Sequence, residues 1–197
     1  MNPLPNIALV GRMGTGKSTI ASLLAHQFGY YKMSWATPIK DLAERAYGTI
    51  DKTKTYAVTK NDTVHYVTGR YLLQRIGTDA LRSQVDEEFW LKVAINQISH
   101  ILRLNPDARI VIDDTRFMNE AQLLQKRGFM IVRVRLPDAV RVLRLGEQLT
   151  DTTADHPSEA DSDHIPCHID LWNTADAQQT VNELMRVLAE TVATETA

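Results

Sequence analysis

The sequence predicts an α/β fold: a doubly wound, five-stranded parallel sheet with surrounding helices. Strand-length segments rich in apolar residues recur along the chain and alternate with segments of helical spacing. A glycine-rich motif also follows the first of these segments directly and opens a helix, an arrangement found at the carboxyl edge of such sheets. The five predicted strands are Ile7–Val10, Tyr30–Met33, Ala108–Ile112, Met130–Val134 and His168–Trp172.

The segments between the strands are predicted mainly as helices, from the spacing of their apolar residues. These helices span about residues 18–26, 39–47, 70–83, 86–104, 119–127 and 175–194. A β-hairpin is predicted inside the polar stretch 49–69, where Tyr56–Val58 and Val64–Val67 flank Thr59-Lys60-Asn61-Asp62. The length suits a single domain over residues 1–197, with a core formed by 6–34, 105–136 and 167–197, an inserted region 35–104 and a polar segment 137–166 whose composition suits a lid.

Composition limits the classes of function. The 197 residues include 22 Lys and Arg against 24 Asp and Glu, a net charge of −2, which argues against binding nucleic acid mainly by charge. The absence of a long apolar run argues against a membrane span or signal peptide, so no membrane partner is expected. The single cysteine, Cys167, cannot form an internal disulfide, which fits a reducing cytoplasm, or the host cytoplasm if the protein is viral. The composition is also compatible with a homodimer.

The glycine-rich motif has the pattern of a phosphate loop. Gly11-x-x-x-x-Gly16-Lys17-Ser18 lies between a predicted strand and a predicted helix, so backbone N–H groups and the positive end of the helix dipole would face a phosphate. Lys17 would reach the β and γ oxygens of a nucleoside triphosphate, and the Ser18 hydroxyl would bind Mg²⁺. The predicted nucleotide-binding residues are Gly11, Arg12, Met13, Gly14, Thr15, Gly16, Lys17, Ser18 and Thr19.

Two carboxylates stand where the third strand is predicted to end. Ile110-Val111-Ile112 is followed by Asp113-Asp114, which resembles the second half of a phosphate-loop site, where a strand delivers a carboxylate to Mg²⁺. Ordinary polarity at a strand end would explain the pair equally well if the loop at Gly11 were absent. Successive strand side chains point in opposite directions, so the sequence leaves open which aspartate faces the metal.

Basic residues suggest a second anionic pocket beside the phosphate loop. Arg116 follows the aspartates and could form a forked contact with phosphate oxygens; the alternative is a surface ion pair with Glu120. Between the second and third sheet strands lie further cations, any of which could belong to a solvated face, the preferred interpretation for Arg75. They are Lys40, Arg70, Arg75 and Arg82.

One segment could recognise a nucleobase. Gln74 offers both a donor and an acceptor to the edge of a base, and Trp35, Tyr71 or Trp90 could stack on its face. Each has an ordinary alternative, because Gln74 could be solvated and aromatic side chains more often belong to the core.

Longer strings of residues extend beyond the phosphate loop. They are Pro38-x-Lys40, Leu73-Gln74-x-x-Gly77-Thr78-Asp79-x-x-Arg82, Phe89-Trp90, Asp114-x-Arg116-Phe117-x-Asn119-Glu120 and His156-x-Ser158-Glu159. From Val10 to about Asn173, in this order, the chain resembles the deoxynucleoside monophosphate kinases found in bacteriophages and some bacteria. The Gln-x-x-Gly-Thr-Asp and Asp-x-Arg-Phe-x-Asn-Glu strings are far more specific than the phosphate loop.

The resemblance implies a P-loop fold like that of nucleoside monophosphate (NMP) kinases, with ATP and Mg²⁺ as the donor and a deoxynucleoside monophosphate as the acceptor. Residues 35–104 then become the NMP-binding region and 137–166 the lid. The resemblance implies substrate roles for Lys40, Gln74, Asp79, Arg82 and Arg116, and Asn173 resembles the adenine-side loop of such kinases.

The mechanism expected for such a kinase needs alignment and positive charge, and no general base. Lys17 and Arg116 are expected to act on the phosphates. Arg141 and Arg144, three residues apart on the helix after Pro137, would come over the transferring group when the lid closes, although a solvated helix face explains their spacing equally well. His156–Glu159 is interpreted as a hinge or lid contact.

Two other functions compete with this prediction. The first is another small-metabolite kinase of the same fold, such as a phosphomevalonate or dephospho-coenzyme A kinase. The second is a non-catalytic or slowly hydrolysing nucleotide-binding switch. The cluster of arginines argues against the switch, because a switch needs no pocket for a second phosphate.

Overall fold

The structure is a computed structural model that describes residues 4–146, 162–174 and 176–194. The chain divides into two compact units. The first unit combines Met1–Ser34 with Ile101–Ala197, and the second is Trp35–His100.

The first unit contains a five-stranded parallel sheet in the order β2-β5-β1-β6-β7. All four neighbouring pairs are parallel, which confirms the doubly wound parallel sheet. Strands β3 and β4 form a separate two-stranded sheet in the second unit. The strands are β1 (Ile7–Val10), β2 (Tyr30–Met33), β3 (Thr55–Lys60), β4 (Thr63–Thr68), β5 (Arg109–Thr115), β6 (Met130–Arg135) and β7 (Ile169–Trp172).

The helices follow the order expected for crossover connections between parallel strands. They are α1 (Lys17–Phe28), α2 (Thr37–Tyr47), α3 (Gly69–Gln74), a π-helix (Arg75–Arg82), α4 (Phe89–Leu104), α5 (Met118–Gln125), α6 (Asp138–Leu145) and α7 (Ala177–Thr194). None of the helices in the described ranges is long and apolar enough to cross a membrane.

The main core lies between one face of the sheet and the helices α1 and α7. Alternate strand residues such as Leu9, Val111 and Val132 pack there against helix residues such as Leu24 and Leu184, all of them fully buried. Burying each large aliphatic side chain of this kind contributes about 1.5–3 kcal/mol. Because the core side chains fix the register of every strand, they also fix which residues reach the carboxyl edge of the sheet.

The prediction that the third sheet strand stops before Asp113 is wrong. Strand β5 continues to Thr115, so that Asp113 and Asp114 both lie within it. Its partner β1 pairs with it as far as Val10 and Thr115, after an irregularity in register between Ala8 and Val10. The polar side chains alone suggest a loop at Asp113 and Asp114. Pairing with β1 keeps this segment in the strand, because it satisfies the backbone N–H and C=O groups there.

The second unit contains α2, the β3–β4 hairpin, α3, the π-helix and the first part of α4. The hairpin confirms the prediction for residues 49–69, and its strands pair from Thr55 with Thr68 to Lys60 with Thr63. Its two-residue turn has positive φ at Asn61 (49°) and Asp62 (57°), the backbone that matches the twist of paired strands. The helix predicted over 70–83 is only partly α-helical, because Arg75–Arg82 adopts the wider π-helical turn.

Candidate functional site

The phosphate loop adopts backbone conformations that explain its glycines. Gly11, Gly14 and Gly16 have φ of 132°, 85° and 95°, all in the region that favours glycine. A Cβ at Gly11 would overlap the carbonyl oxygen of Val134, and one at Gly14 would lie 2.9 Å from Cγ of Leu145. Other backbone and side-chain atoms therefore pack closely against the loop and leave no room for a side chain at Gly11 or Gly14.

Lys17 is the first residue of α1 and is buried, with 9% of its surface exposed. Its Nζ donates hydrogen bonds to the carbonyl oxygens of Gly11 at 2.5 Å and of Arg12 at 2.8 Å. The ammonium group thus lies across the loop at the positive end of the helix dipole, where an anion would be stabilised by both. This is a site that fits a phosphate chain.

Asn173, immediately after β7, holds the loop from the other side. Its Nδ2 donates to the carbonyl oxygen of Thr15 at 2.8 Å, and its Oδ1 accepts from Oγ1 of Thr180 at 2.9 Å. All three residues are 2% exposed. A Cβ at Gly16 would overlap Nδ2 of Asn173, so the amide occupies the space that the glycine leaves. Sequence reasoning selected Asn173 but missed Thr180, whose only signal is a hydroxyl beside the apolar residues of α7.

Helix α6 packs on the phosphate loop and brings Arg144 beside it. Leu145 fills the space over Gly14, and Nη1 of Arg144 lies 3.8 Å from the position of a Cβ on Gly16. Arg141 is buried and its Nε donates to Oδ1 of Asp138 at 3.1 Å. The two arginines therefore differ: Arg144 is exposed beside the loop and Arg141 is held within its own helix.

Arg12, inside the loop, joins two separate segments of the first unit. Its Nε donates to Oδ2 of Asp163 at 2.8 Å, and its Nη1 lies 3.7 Å from Oδ1 of Asp138. The loop is thereby tied to the start of α6 and to the segment before β7. The predicted hinge residues His156–Glu159 lie outside the described residues, as do residues 147–161 as a whole.

The two aspartates of β5 have different partners. Oδ2 of Asp113, which is 5% exposed, lies 3.1 Å from Nζ of Lys32, and Oδ2 of Asp114 accepts from Oγ of Ser34 at 2.6 Å. Lys32 also donates to the carbonyl oxygen of Ser18 at 3.2 Å. Sequence reasoning missed Lys32. The available signal was its position two residues after the core residue Tyr30, which places both side chains on the same face of the strand.

Arg116 follows β5 and is exposed. Glu120, considered above as its surface ion-pair partner, is buried and accepts hydrogen bonds from the backbone N–H groups of Arg116 at 2.9 Å and Phe117 at 3.2 Å. These bonds close the N-terminus of α5 and fix the backbone from which the Arg116 side chain projects.

The remaining predicted substrate residues lie in the second unit. Lys40 pairs with Glu44 at 3.4 Å, and Asp79 pairs with Arg75 at 2.6 Å. Arg70 and Gln74 are exposed, whereas Arg82 is half-buried. Asp79 and Arg82 lie on the π-helix and Gln74 immediately precedes it; helices of this kind are frequent at functional sites.

The predicted aromatic platforms are not equally available. Trp35 is 7% exposed and Trp90 donates its indole N–H to the carbonyl oxygen of Gly77 at 2.6 Å. Gly77 itself lies close to α2, since a Cβ there would be 2.8 Å from Cδ1 of Ile39. Tyr71 is 49% exposed, and the guanidinium carbon of Arg75 lies 5.9 Å from the centroid of its ring.

Comparison with solved structures identifies the class of fold. The chain is similar to shikimate kinase from Acinetobacter baumannii in complex with shikimate, with a TM-score of 0.58 at 15% identity, over 95% of this chain and 94% of that one. It is also similar to TT1252 from Thermus thermophilus, with a TM-score of 0.56 at 21% identity, over 96% and 98% of the two chains. With its phosphate loop and five-stranded sheet, the protein has the fold of the P-loop small-molecule kinases.

Sequence comparison identifies the family. The family profile described as deoxynucleotide monophosphate kinase matches residues 57–153. A protein of Acanthamoeba polyphaga mimivirus, described as "Putative deoxynucleotide monophosphate kinase", is 32% identical over 171 residues, covering 79% of this chain and 80% of that protein. The chain belongs to the deoxynucleotide monophosphate kinase family, a family of nucleotide-binding phosphotransferases, which confirms the resemblance noted in its sequence.

Proposed function

We propose that this protein transfers the γ-phosphoryl group of ATP to a deoxynucleoside 5′-monophosphate, giving the diphosphate and ADP. The observation that carries the proposal is the phosphate loop: three left-handed glycines surround a buried Lys17 whose Nζ lies across the loop, in a chain of this family. An oxygen of the acceptor phosphate attacks the γ-phosphorus as the bond from that phosphorus to the β–γ bridging oxygen breaks. Because the attacking oxygen is already ionised, the reaction needs no general base.

The donor would bind along the loop, Gly11–Thr19. Backbone N–H groups and Lys17 would hold its phosphates, and Arg144, beside Gly16, would add positive charge over them. Asn173 is proposed to act on the nucleotide by holding the loop, since its amide is engaged by Thr15 and Thr180. Arg141 would act with Arg144, although its bond to Asp138 must then be exchanged for a phosphate.

The residues present fit a magnesium ion. In the ranges 4–146, 162–174 and 176–194, no group of three His, Cys, Asp or Glu side chains could hold a metal alone. Mg²⁺ in such sites needs only one or two carboxylates and the substrate phosphates. The carboxylate of Asp113 and the hydroxyl of Ser18 would supply hard oxygen ligands. The two residues lie near each other, since Nζ of Lys32 contacts both the Asp113 carboxylate and the Ser18 backbone carbonyl. When bound, Mg²⁺ would neutralise charge on the donor phosphates.

Roles toward the acceptor are proposed residue by residue, from the strings that resemble the family. Arg82 of the second unit and Arg116 of the first are each proposed as ligands of a phosphate, and Lys40 and Arg70 as further positive charge. Gln74 would read the edge of the base, with Asp79 held by Arg75 toward the sugar or base. Trp35 and Trp90 would shape the pocket wall, because one is buried and the other has its N–H bonded to Gly77.

A pair of matched variants tests the donor site. Lys17→Ala should lower the rate of transfer by roughly a hundredfold or more, the loss typical of a deleted donor at a transferring group. Lys126→Ala, which removes an equal charge from the exposed end of α5, should leave the rate unchanged. Equal activity of Lys17→Ala and wild type would refute the role of the loop.

A second pair tests the acceptor site. Arg116→Ala should raise the KM for the monophosphate or lower kcat, with little effect on ATP binding, while Arg127→Ala on the exposed surface serves as the control. Loss of ATP affinity alone in Arg116→Ala would contradict the assignment.

A panel of acceptors separates this function from its competitors. ADP release is measured with each deoxynucleoside and ribonucleoside monophosphate, phosphomevalonate, dephospho-coenzyme A and shikimate. We expect release to rise with deoxynucleoside monophosphates and not with phosphomevalonate, dephospho-coenzyme A or shikimate, and the ribonucleotides measure the preference for the sugar. A switch would ignore every acceptor, and another metabolite kinase would respond to its own. Light scattering on the same preparation measures the molar mass and so tests whether the protein is a homodimer. The location proposed for the protein in the cell is the cytoplasm.

A further inference from the structure

A cavity of about 240 Å³ lies beside the phosphate loop, on the face of the sheet opposite α1. Val132 and Val134 of β6 point into the core against α1 and α7, so the intervening Arg133 and the following Arg135 point to the other face. Arg12 and Arg141 complete the set of four arginines that line the cavity. It is several times larger than the roughly 30 Å³ that a water molecule occupies in the liquid.

Arg133 is poorly compensated for a buried charge. Its side chain is 9% exposed, and one Nη group donates to the carbonyl oxygen of Ile165. Its Nε is buried and has no hydrogen-bond partner among the described residues. A buried guanidinium carries five N–H donors and is costly to desolvate unless these are satisfied.

The nearest carboxylate does not neutralise Arg133, because another arginine holds it. Oδ1 of Asp170 lies 2.6 Å from Nε of Arg135 but 3.7 Å from Nη1 of Arg133. Asp138 and Asp163 also line the cavity, and both contact Arg12. The four arginines are therefore in contact with three aspartates, Asp138, Asp163 and Asp170, which leaves an excess of one positive charge.

We propose that this cavity binds a small tetrahedral oxyanion, free phosphate or the phosphate of a monoester, with the guanidinium of Arg133 as a ligand. An anion there would offset the excess positive charge, and its oxygens would accept hydrogen bonds from the arginine forks that line the cavity. Arg133 and Arg135 take no part in the proposed phosphoryl transfer, whereas Arg12, Thr15 and Arg141 are shared with the proposed donor site, so the cavity adjoins that site.

Trp172 provides a local signal for binding. Its ring lines the cavity, is 51% exposed and lies 5.9 Å from the guanidinium carbon of Arg135. The chain has three tryptophans, so replacing Trp35 and Trp90 by phenylalanine leaves the fluorescence of Trp172 alone. The same variant also carries Lys17→Ala, which weakens binding at the phosphate loop. It is titrated with inorganic phosphate and with glycerol 1-phosphate.

We expect a saturable change in Trp172 fluorescence that sodium chloride at equal ionic strength does not produce. Arg133→Gln should weaken it by roughly tenfold or more, as expected for the loss of one charge-assisted hydrogen bond. Arg186→Gln removes an equal charge from the exposed side of α7, on the opposite face of the sheet, and should have no effect. A response to phosphate but not to the ester would identify the free ion as the ligand.

Circular dichroism shows whether each variant folds. If Arg133→Gln does not fold, it is replaced by Arg133→Lys, which keeps the positive charge but loses the forked hydrogen-bonding geometry. No saturable response, or an equal response in wild type and the Arg133 variant, would overturn the proposal. Arg133 takes no part in the proposed phosphoryl transfer, so failure of this proposal would leave the outcome of the kinase assays unchanged.

Discussion

Replacing Asn173 by alanine tests whether the end of β7 positions the phosphate loop. The side chain is 2% exposed and joins the carbonyl oxygen of Thr15 to the hydroxyl of Thr180. Truncation leaves the Thr15 carbonyl buried without this donor. The Thr180 hydroxyl has a second acceptor, the carbonyl oxygen of Asp176 at 3.0 Å, so it is not left unsatisfied.

The expected cost is therefore that of one unsatisfied buried group rather than two. Leaving a buried acceptor without its donor costs about 1–3 kcal/mol, so Asn173→Ala should lower the free energy of unfolding by that amount. Thr180→Val leaves Oδ1 of Asn173 without its donor and should cost a similar amount. Because the amide fixes the peptide at Thr15, the affinity for ATP should fall in both variants.

Urea unfolding measures the stability, and calorimetric titration measures the affinity for ATP. Asn182→Ala is the matched control, since Asn182 is exposed on the same helix as Thr180. The control should unfold at the wild-type urea concentration and bind ATP normally. If Asn173→Ala keeps both the wild-type midpoint and the wild-type affinity for ATP, the reasoning about the loop is refuted.

Three further perturbations follow from the same contacts. Gly16→Ala should abolish ATP binding, because φ is 95° and the methyl group would overlap Asn173. Gly128 has φ of 77° and no atom within 4 Å of the added Cβ, so Gly128→Ala should cost only about 1–2 kcal/mol of backbone strain and keep ATP binding. Equal ATP affinities of the two variants would contradict this. Asp113→Asn should raise the Mg²⁺ concentration needed for half-maximal rate by more than Asp114→Asn does, and the reverse order would transfer the metal role to Asp114. Burial raises the pKa of Tyr30 from 10.0 to about 12, so its contribution to stability is complete below pH 10 and is lost as pH rises toward 12; unfolding at pH 9 and 11 should show this loss in wild type and not in Tyr30→Phe.

The strands of the sheet were predictable because each has a local cause. The apolar runs Ile7–Val10 and Met130–Val134 can be buried on both faces only inside a covered parallel sheet, and the structure places them there. The hairpin was predictable from a polar tetrapeptide between β-forming segments. Strand β5 was predicted three residues short at its carboxyl end, since that polar end is stabilised by pairing with β1, which no local pattern reveals.

The partners of the candidate site residues were much less predictable. Nothing near Asp113 in sequence indicates Lys32, and nothing near Thr15 indicates that the Asn173 amide holds its carbonyl oxygen, because these contacts join segments far apart in the chain. The orphaned Nε of Arg133 was also invisible, since burial of a charge depends on what packs over the strand.

The sequence by itself determined the phosphate loop, the order of strands and helices, and the family to which the chain belongs. These depend on residue spacing and on backbone conformations that particular residues favour. Only the tertiary structure decided which carboxylate meets Lys32, which amide holds the loop, and which arginine is left without a full set of partners. Those outcomes are set by the packing of elements remote in sequence, where a hydrogen bond forms or fails over a fraction of an ångström.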